Sequence, residues 1–328
     1  MTGEERAWLK IAAVRGVGDK KLWMLADLVW REGGSLSWLM EHPDHLESSL
    51  KIKLNPDDGV YSESGADNAF DYLERNGIEV LHPLHGDFPP RLVIRKDFPG
   101  VSPLLYALGN RKIFERTSVS VVGSRRASQS AVAIAQNLAR ELAENCINVT
   151  SGYANGVDLA AHAGALMARG TTTAVLADGI SRFRMNPTLG EFSTEDNMLV
   201  VSQFNPSAVW TPYNAMKRNK LVCALSDAVV VIRSGAERDA DGRMSGTFDA
   251  GMSALKMGIP LFVVAPENLE DDCAGNRALI DKGGISWNPT DGAGMIAVEA
   301  EKCHSSLTAG IGARESDNSE SRQMTLFK

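Results

Sequence analysis

The chain has 328 residues, 44% of them hydrophobic, enough to bury a sizeable core and too apolar for global disorder. A formal net charge of −7 excludes a uniformly basic nucleic-acid coat, although phosphate affinity follows local fields rather than the sum. No secretory leader, no apolar run near the ~18 residues of a membrane helix and no C-x-x-C among Cys146, Cys223, Cys273 and Cys303 point to a cytoplasmic chain with reduced thiols.

Residues 1–78 read as a small helical domain. Leu9, Ile11, Ala12 and Val14 lead into Gly16-Val17-Gly18, after which Leu22, Leu25, Leu28 and Val29 recur at helical spacing. Alternate glycines between helices permit a tight turn. The pattern fits a helix-hairpin-helix or a sterile-alpha-motif-like unit with Lys20 and Lys21 beside the turn, and an ordinary helix–turn–helix fits it equally. Residues 80–116 hold His82-Pro83, Phe88-Pro89-Pro90, Phe98-Pro99 and Ser102-Pro103, which argue against a regular helix, and end in a strand-like run at 104–109.

From residue 117 apolar runs alternate with amphipathic stretches. Strands are expected at 118–122, 147–150, 172–176, 198–202, 228–232 and 260–264. Helices are expected through Ala131, Ile134, Ala135, Leu138 and Leu142, then through Val157, Ala160, Ala161, Ala165 and Leu166. This alternation implies an α/β architecture, a Rossmann-like doubly wound and mostly parallel sheet, spanning residues 79–290. The polar, aperiodic stretch at 304–322 marks residues 291–328 as a flexible C-terminal tail.

Two glycine loops carry the chemistry. Gly123, Ser124, Arg125, Arg126 and Ser128 follow the first core strand, and Ser151, Gly152, Asn155 and Gly156 follow the second. Open parallel sheets bind ligands outside the carboxyl ends of their strands. Glycine lets a phosphate approach the backbone, the following helix offers free N–H groups, and arginine adds a fork of donors. Asp158 and His162, next in the chain, read foremost as a helix cap and a packed, hydrogen-bonded histidine.

The pair G-S-R-x-x-S and S-G-x-A-x-G-[IV]-D-x-x-A-H, about thirty residues apart, resembles the DNA-processing protein A (DprA/Smf) family. Further matches come in order: Gly164-Ala165-Leu166, Gly170-Thr171-Thr172, Lys217-Arg218-Asn219-Lys220, Ser245-Gly246-Thr247 and Gly275-Asn276-x-x-Leu279-Ile280. The entry segments Phe88-Pro89-Pro90-Arg91-Leu92 and Leu105-Tyr106-Ala107-Leu108-Gly109 complete a likeness over residues 8–290. The resemblance implies a non-enzymatic, homodimeric single-stranded-DNA-binding protein that helps load RecA in recombination and natural transformation. It implies no cofactor and no metal. Arg125, Arg126, Lys217, Arg218, Asn219, Lys220, Ser245 and Thr247 would collect along one groove.

The chain departs from the family pattern in several places. Asn155 stands where the family usually has arginine, and Arg233 where an acidic residue is often found. An insertion at 235–243 lengthens the loop before Ser245, and residues beyond the core are too few and too polar for the winged helix many members carry. These departures admit a specialised role in defence or in a toxin–antitoxin setting. At the C-terminus, Gln323, Leu326 and Phe327 match the Q-x-x-L-F pattern that docks on the polymerase sliding clamp. Two alternatives use the same loops: a sensor of a small nucleotide, and an enzyme like the nucleotide phosphoribohydrolases. The second is disfavoured because residues 242–250 lack the P-G-G-x-G-T-x-x-E signature. His82-x-x-His85 lacks companion ligands for a metal.

Overall fold

The structure is a computed structural model describing residues 1–32, 34–51, 63–270 and 273–325, with backbone alone for residue 32, residues 63–68 and residues 310–325. The chain opens with α1 (Gly3–Ala12), α2 (Asp19–Glu32), α3 (Leu36–Glu41), α4 (Pro43–Leu50) and α5 (Glu63–Arg75). Their starts reflect local chemistry. Thr2 and Glu5 form a reciprocal capping box on α1, Ser35 accepts the Trp38 N–H to open α3, and Pro43 begins α4. The turn between α1 and α2 falls at Gly16, whose φ of 84° lies in the left-handed region that glycine tolerates.

These helices share a core with the strands and helices beyond residue 78. Trp8, Ile11, Leu22 and Leu25 belong to the same apolar cluster as Leu81, Leu92, Leu105 and Val200. Trp23 Nε1 also donates to Val101 O at 3.0 Å, so the units drawn at 1–78 and 79–290 pack as neighbours without a spacer.

The rest runs β1 (Glu79–Leu81), α6 (Pro90–Ile94), β2 (Leu105–Gly109), β3 (Ser118–Val122), α7 (Gln129–Glu144), β4 (Asn148–Gly152), α8 (Val157–Met167), β5 (Thr172–Val175) and α9 (Pro187–Gly190). It continues through β6 (Met198–Ser202), α10 (Pro212–Ala224), β7 (Ala228–Val231), α11 (Gly246–Lys256), β8 (Leu261–Val264), α12 (Ala274–Asp281), β9 (Ile285–Trp287) and α13 (Gly294–Thr325). Among the described residues the strands form one nine-stranded sheet in the order β1-β2-β6-β5-β4-β3-β7-β8-β9. β2 is antiparallel to both neighbours and the remaining pairs are parallel, as the doubly wound expectation required.

β3 pairs with β4 on one side and with β7 on the other, Val119 opposite Ala228 through Val122 opposite Val231. The chain winds outward from β3 in one direction and from β7 in the other, so their junction is the switch point where a crevice opens.

Two expectations need correction. The proline-rich segment does hold a short helix, α6, because Pro90 sits in its first turn, where a missing N–H costs nothing. The stretch expected to be a flexible tail is the helix α13. Its first turns bury Ile296, Ala297 and Ala300 in the cluster formed with Val119, Val121, Leu138 and Phe262, and that packing nucleates a helix the polar sequence does not announce. Leu326, Phe327 and the Gln323 side chain of the clamp-like motif lie outside the described residues. No helix among the described residues is long and apolar enough to cross a membrane.

The floor of the sheet is tied by a buried ion pair. Arg91 Nε donates to Asp227 Oδ1 at 2.8 Å, and its Nη atoms reach Asp227, Phe114 O and Arg116 O. His304 Nδ1 lies 2.7 Å from Arg91 Nη2 and 3.5 Å from Asp227 Oδ2, which fastens α13 to α6. Burial pushes the Asp227 carboxyl up, but His304, Arg91 and the Ser118 N–H outweigh it and hold the carboxyl below its ordinary 3.8. A depressed folded-state value means this stabilisation is complete above about pH 4 and is lost as pH falls through the folded value. Arg91→Met leaves Asp227 buried without its partner and should cost about 3–5 kcal/mol in urea unfolding. Asp227→Asn should remove this acid-side loss of stability from the pH profile.

Candidate nucleic-acid interface

The crevice at the β3–β7 junction begins with what its glycines leave out. A Cβ on Gly152 would fall 1.2 Å from Arg218 Nη1 and 2.2 Å from Asp158 Oδ2, so Arg218 occupies the space beside β4 that a side chain would fill. A Cβ on Gly123 would lie 2.6 Å from Val157, and one on Gly156, at φ 83°, would lie 2.7 Å from Ser124 O. The two loops are therefore stacked on each other, with the Gly156 turn beneath the backbone of Ser124 and Arg125.

Arg218 is 4% exposed yet poorly compensated. Its Nη1 reaches Asp158 Oδ2 at 3.4 Å and Val175 O at 3.3 Å, both long, and its Nε has no partner. Burial pushes the Asp158 carboxyl up against the pull of Arg218, while the guanidinium stays charged. Asp158 accepts from the Ala154 N–H, and α8 has no side-chain cap.

His162 is a core histidine. Its Nε2 faces Gly152 O at 2.5 Å, so that nitrogen carries the proton, and Nδ1 lies 2.6 Å from Thr172 Oγ1, whose hydroxyl donates to Val149 O at 2.7 Å. Burial lowers it to about 4, which keeps it neutral while it pins the Gly152 carbonyl.

The main cleft has a volume of about 880 Å³. Gly123, Ser124, Arg125 and Arg126 form one side, Arg218 and Asn219 the floor, and Arg233, Ser245, Gly246 and Thr247 the other side. Ser245 caps α11, whose first-turn amides at Gly246 and Thr247 end at the cleft with the positive end of the helix dipole. The insertion makes a wall: Arg238 bridges Met244, Asp239 N–H donates to Arg243 O at 2.9 Å, and Gly242 turns at φ 76°. Asp239, Arg243 and Met244 from this hairpin line the cleft.

Asn276 fixes the far rim. It accepts from Ser234 N–H at 2.7 Å and donates to Ile232 O and Val264 O at 2.9 Å each, joining the ends of β7 and β8. Arg233 is held there through its carbonyl, which accepts the Ser124 N–H at 3.0 Å, and its buried Nε has no partner.

A second lobe of about 440 Å³ adjoins the first across Arg125 and Trp210. The Arg125 guanidinium lies 5.1 Å from the Trp210 ring centroid. Asn155 lines this lobe with Tyr153, Asp178 and Phe183.

Several expected groove residues stand elsewhere. Lys217 pairs with Asp19 at 2.6 Å and Lys220 packs against Gly100, so neither lines the cleft. The helical period explains it: with Arg218 turned to the sheet, residues 217 and 220 share the face toward the N-terminal helices, while Asn219 donates to Gly246 O at 3.0 Å. Ser151 is buried and donates to Val121 O at 2.6 Å, joining β4 to β3. Ser128 caps α7 by accepting the Ala131 N–H. Residues not anticipated at the site are Arg233, Arg243, Trp210, Tyr153 and Asp178. Only Arg233 had a signal, as a cation at a strand end.

The family described as DNA recombination-mediator protein A matches residues 79–292. Among curated relatives, the chain is 28% identical to Protein Smf of Escherichia coli over 62% of its length and 53% of the relative's. It is 30% identical to DNA processing protein DprA of Streptococcus pneumoniae over 55% of its length and 61% of the relative's. The chain thus spans just over half the length of these relatives. The solved DNA processing protein A of Streptococcus pneumoniae superposes with a TM-score of 0.68 at 22% identity, covering 89% of this chain and 96% of that one. The Helicobacter pylori protein, described for its single-stranded DNA binding mode, gives 0.54 at 26% identity, covering 65% and 93%. With the match spanning the sheet, both glycine loops and the Asn276 clamp, the chain belongs to the DNA recombination-mediator protein A family.

Proposed function

We propose that this protein binds single-stranded DNA along the cleft at the β3–β7 junction and acts in DNA processing as a holding surface, not as a catalyst. The observation that carries the reading is the set of arginines converging on one rigid strand-end crevice of an acidic protein, two of them with a buried, unpartnered Nε. A phosphodiester backbone supplies the missing acceptors, and the glycine approach at Gly123 and the amides at Gly246 and Thr247 suit its oxygens. The exposed Trp210 and Tyr213 beside the arginines suit unstacked bases. The single-stranded DNA mode described for the Helicobacter pylori relative supports the same ligand.

The acidic side chains of the main cleft argue for holding. Asp158 is engaged by Arg218 and Ala154 N–H, and Asp239 accepts the N–H groups of Asp241 and Arg243, so neither is free as a general base. The family's description as a recombination mediator extends the proposal to passing the bound strand to a recombinase such as RecA.

If Arg125, Arg126, Arg218, Arg233 and Arg243 each neutralise one phosphate, log Kobs for oligothymidylate should fall against log salt with a slope of about −3.5. Arg126→Ala/Arg233→Ala should reduce that slope by about 1.4, while Arg140→Ala, on α7 away from the cleft, leaves it unchanged. Fluorescence anisotropy titrations at stepped salt read both. Gly152→Ala should displace the end of Arg218 and lower the slope by about 0.7. Circular dichroism of that variant should remain that of the parent, because the displaced atoms belong to a side-chain end and not to the backbone.

A further inference from the structure

The two lobes share Arg125, Arg126 and Arg218 and differ in what else lines them. The main lobe adds Arg233, Arg243 and the first amides of α11, whereas the smaller lobe adds the Asp178 carboxylate and the rings of Tyr153 and Phe183. At Asp178 the carboxylate repels a phosphate and suits a neutral group with N–H donors.

Its walls fit a flat ring. Tyr153 and Phe183 lie with ring centroids 5.4 Å apart at 55°, and Trp210 stands at the boundary with the main lobe. The Tyr153 hydroxyl accepts the Asn186 N–H at 2.7 Å and donates to Arg184 O at 3.3 Å, which fixes its ring in place. The volume of about 440 Å³ lies in the ~300–1,000 Å³ range of small-ligand sites. Asp178 is half-buried at the end of β5, and its carboxylate accepts its own backbone N–H, leaving further lone pairs for a ligand. Burial pushes this carboxyl up, against the pull of Arg182 and Arg218, so a donor that replaces lost water is favoured there.

We propose that the smaller lobe seats one base of the bound strand, swung out of its stack, and that Asp178 selects an amino-bearing base, guanine above all, over thymine. The proposal rests on the single-stranded DNA reading and adds a base-reading subsite to it. Guanine offers adjacent N1–H and N2–H donors that match the two carboxylate oxygens. Thymine offers one N–H flanked by two carbonyls that the carboxylate repels. Adenine and cytosine, each with one amino group beside a ring acceptor, fall between. The neutral Asn155 at the same lobe can complement a base edge and adds no charge for a phosphate.

The test titrates the full chain with oligothymidylate of roughly 16 nucleotides and with the same strand carrying one central guanine. Parent and Asp178→Asn proteins are compared by anisotropy, with dGMP and dTMP as competitors. The parent should bind the guanine strand roughly fivefold or more tightly, the lower end for bidentate base recognition, and dGMP should compete better than dTMP. Asp178→Asn should keep or raise its affinity for oligothymidylate, which reports an intact fold, and lose the guanine preference. Strong but equal binding of both strands, or a preference that survives in Asp178→Asn, overturns the base pocket and leaves strand binding standing. Failure of both strands to bind overturns both readings.

Discussion

The geometry of the cleft depends on a buried guanidinium with too little counter-charge. Arg218 sits where Gly152 has no side chain, held by Asp158 at a loose 3.4 Å. Burying a cation without close partners is costly, and the neighbouring structure exists to hold it in place. His162 pins the Gly152 carbonyl, Ser151 ties its strand to β3, and the Gly156 turn tucks under Ser124. Turning Arg218 inward also decides where the rest of α10 faces. It sends Lys217 to Asp19 and brings Asn219 against the start of α11. A chain selected for stability alone would fill that space with an apolar side chain. An unsatisfied cation at a strand end is the local inconsistency expected of a functional position.

Rigidity on the other rim comes from Asn276. One amide group satisfies three backbone positions at the ends of β7 and β8, so the Arg233 loop is held by the sheet itself. A Cβ on Gly275 would fall 2.0 Å from Gly235 O, which explains why the Gly-Asn pair stands where it does. The crevice is thus built between two pinned strand ends, and the 235–243 hairpin adds a wall. On a chain of net charge −7, such a crevice confines attraction for polyanions to one place.

The two-lobed shape results from the Arg125–Trp210 contact, which divides the space above β4 and β5 from the space above β3 and β7. Arg125, Arg126 and Arg218 line both spaces, Arg233 and Arg243 the larger one and Asp178 the smaller. A nucleic-acid strand likewise carries charge along its backbone and neutral hydrogen-bonding edges on its bases.

Much of this was legible in the sequence. Alternating apolar runs and amphipathic stretches required a parallel doubly wound sheet, because strands buried on both faces must be apolar throughout while covering helices need only one apolar stripe. The glycine loops marked the strand ends, and Asp158 and His162 were readable as structural. What the sequence did not contain was direction. Lys217, Arg218, Asn219 and Lys220 look like one basic cluster, yet successive helix positions point about 100° apart, and only packing decided which one met the sheet. β1 and β9, at three residues each, are too short to show a period and exist because neighbouring strands offer them hydrogen bonds. The helix at 294–325 grows from Ile296, Ala297 and Ala300 and from the Arg91–Asp227–His304 contact, whose members lie far apart in the chain. Trp210, Arg233 and Asp178 likewise come from separate loops and share no spacing. Local pattern determined the elements, and the burial of a few distant side chains against one another decided the site.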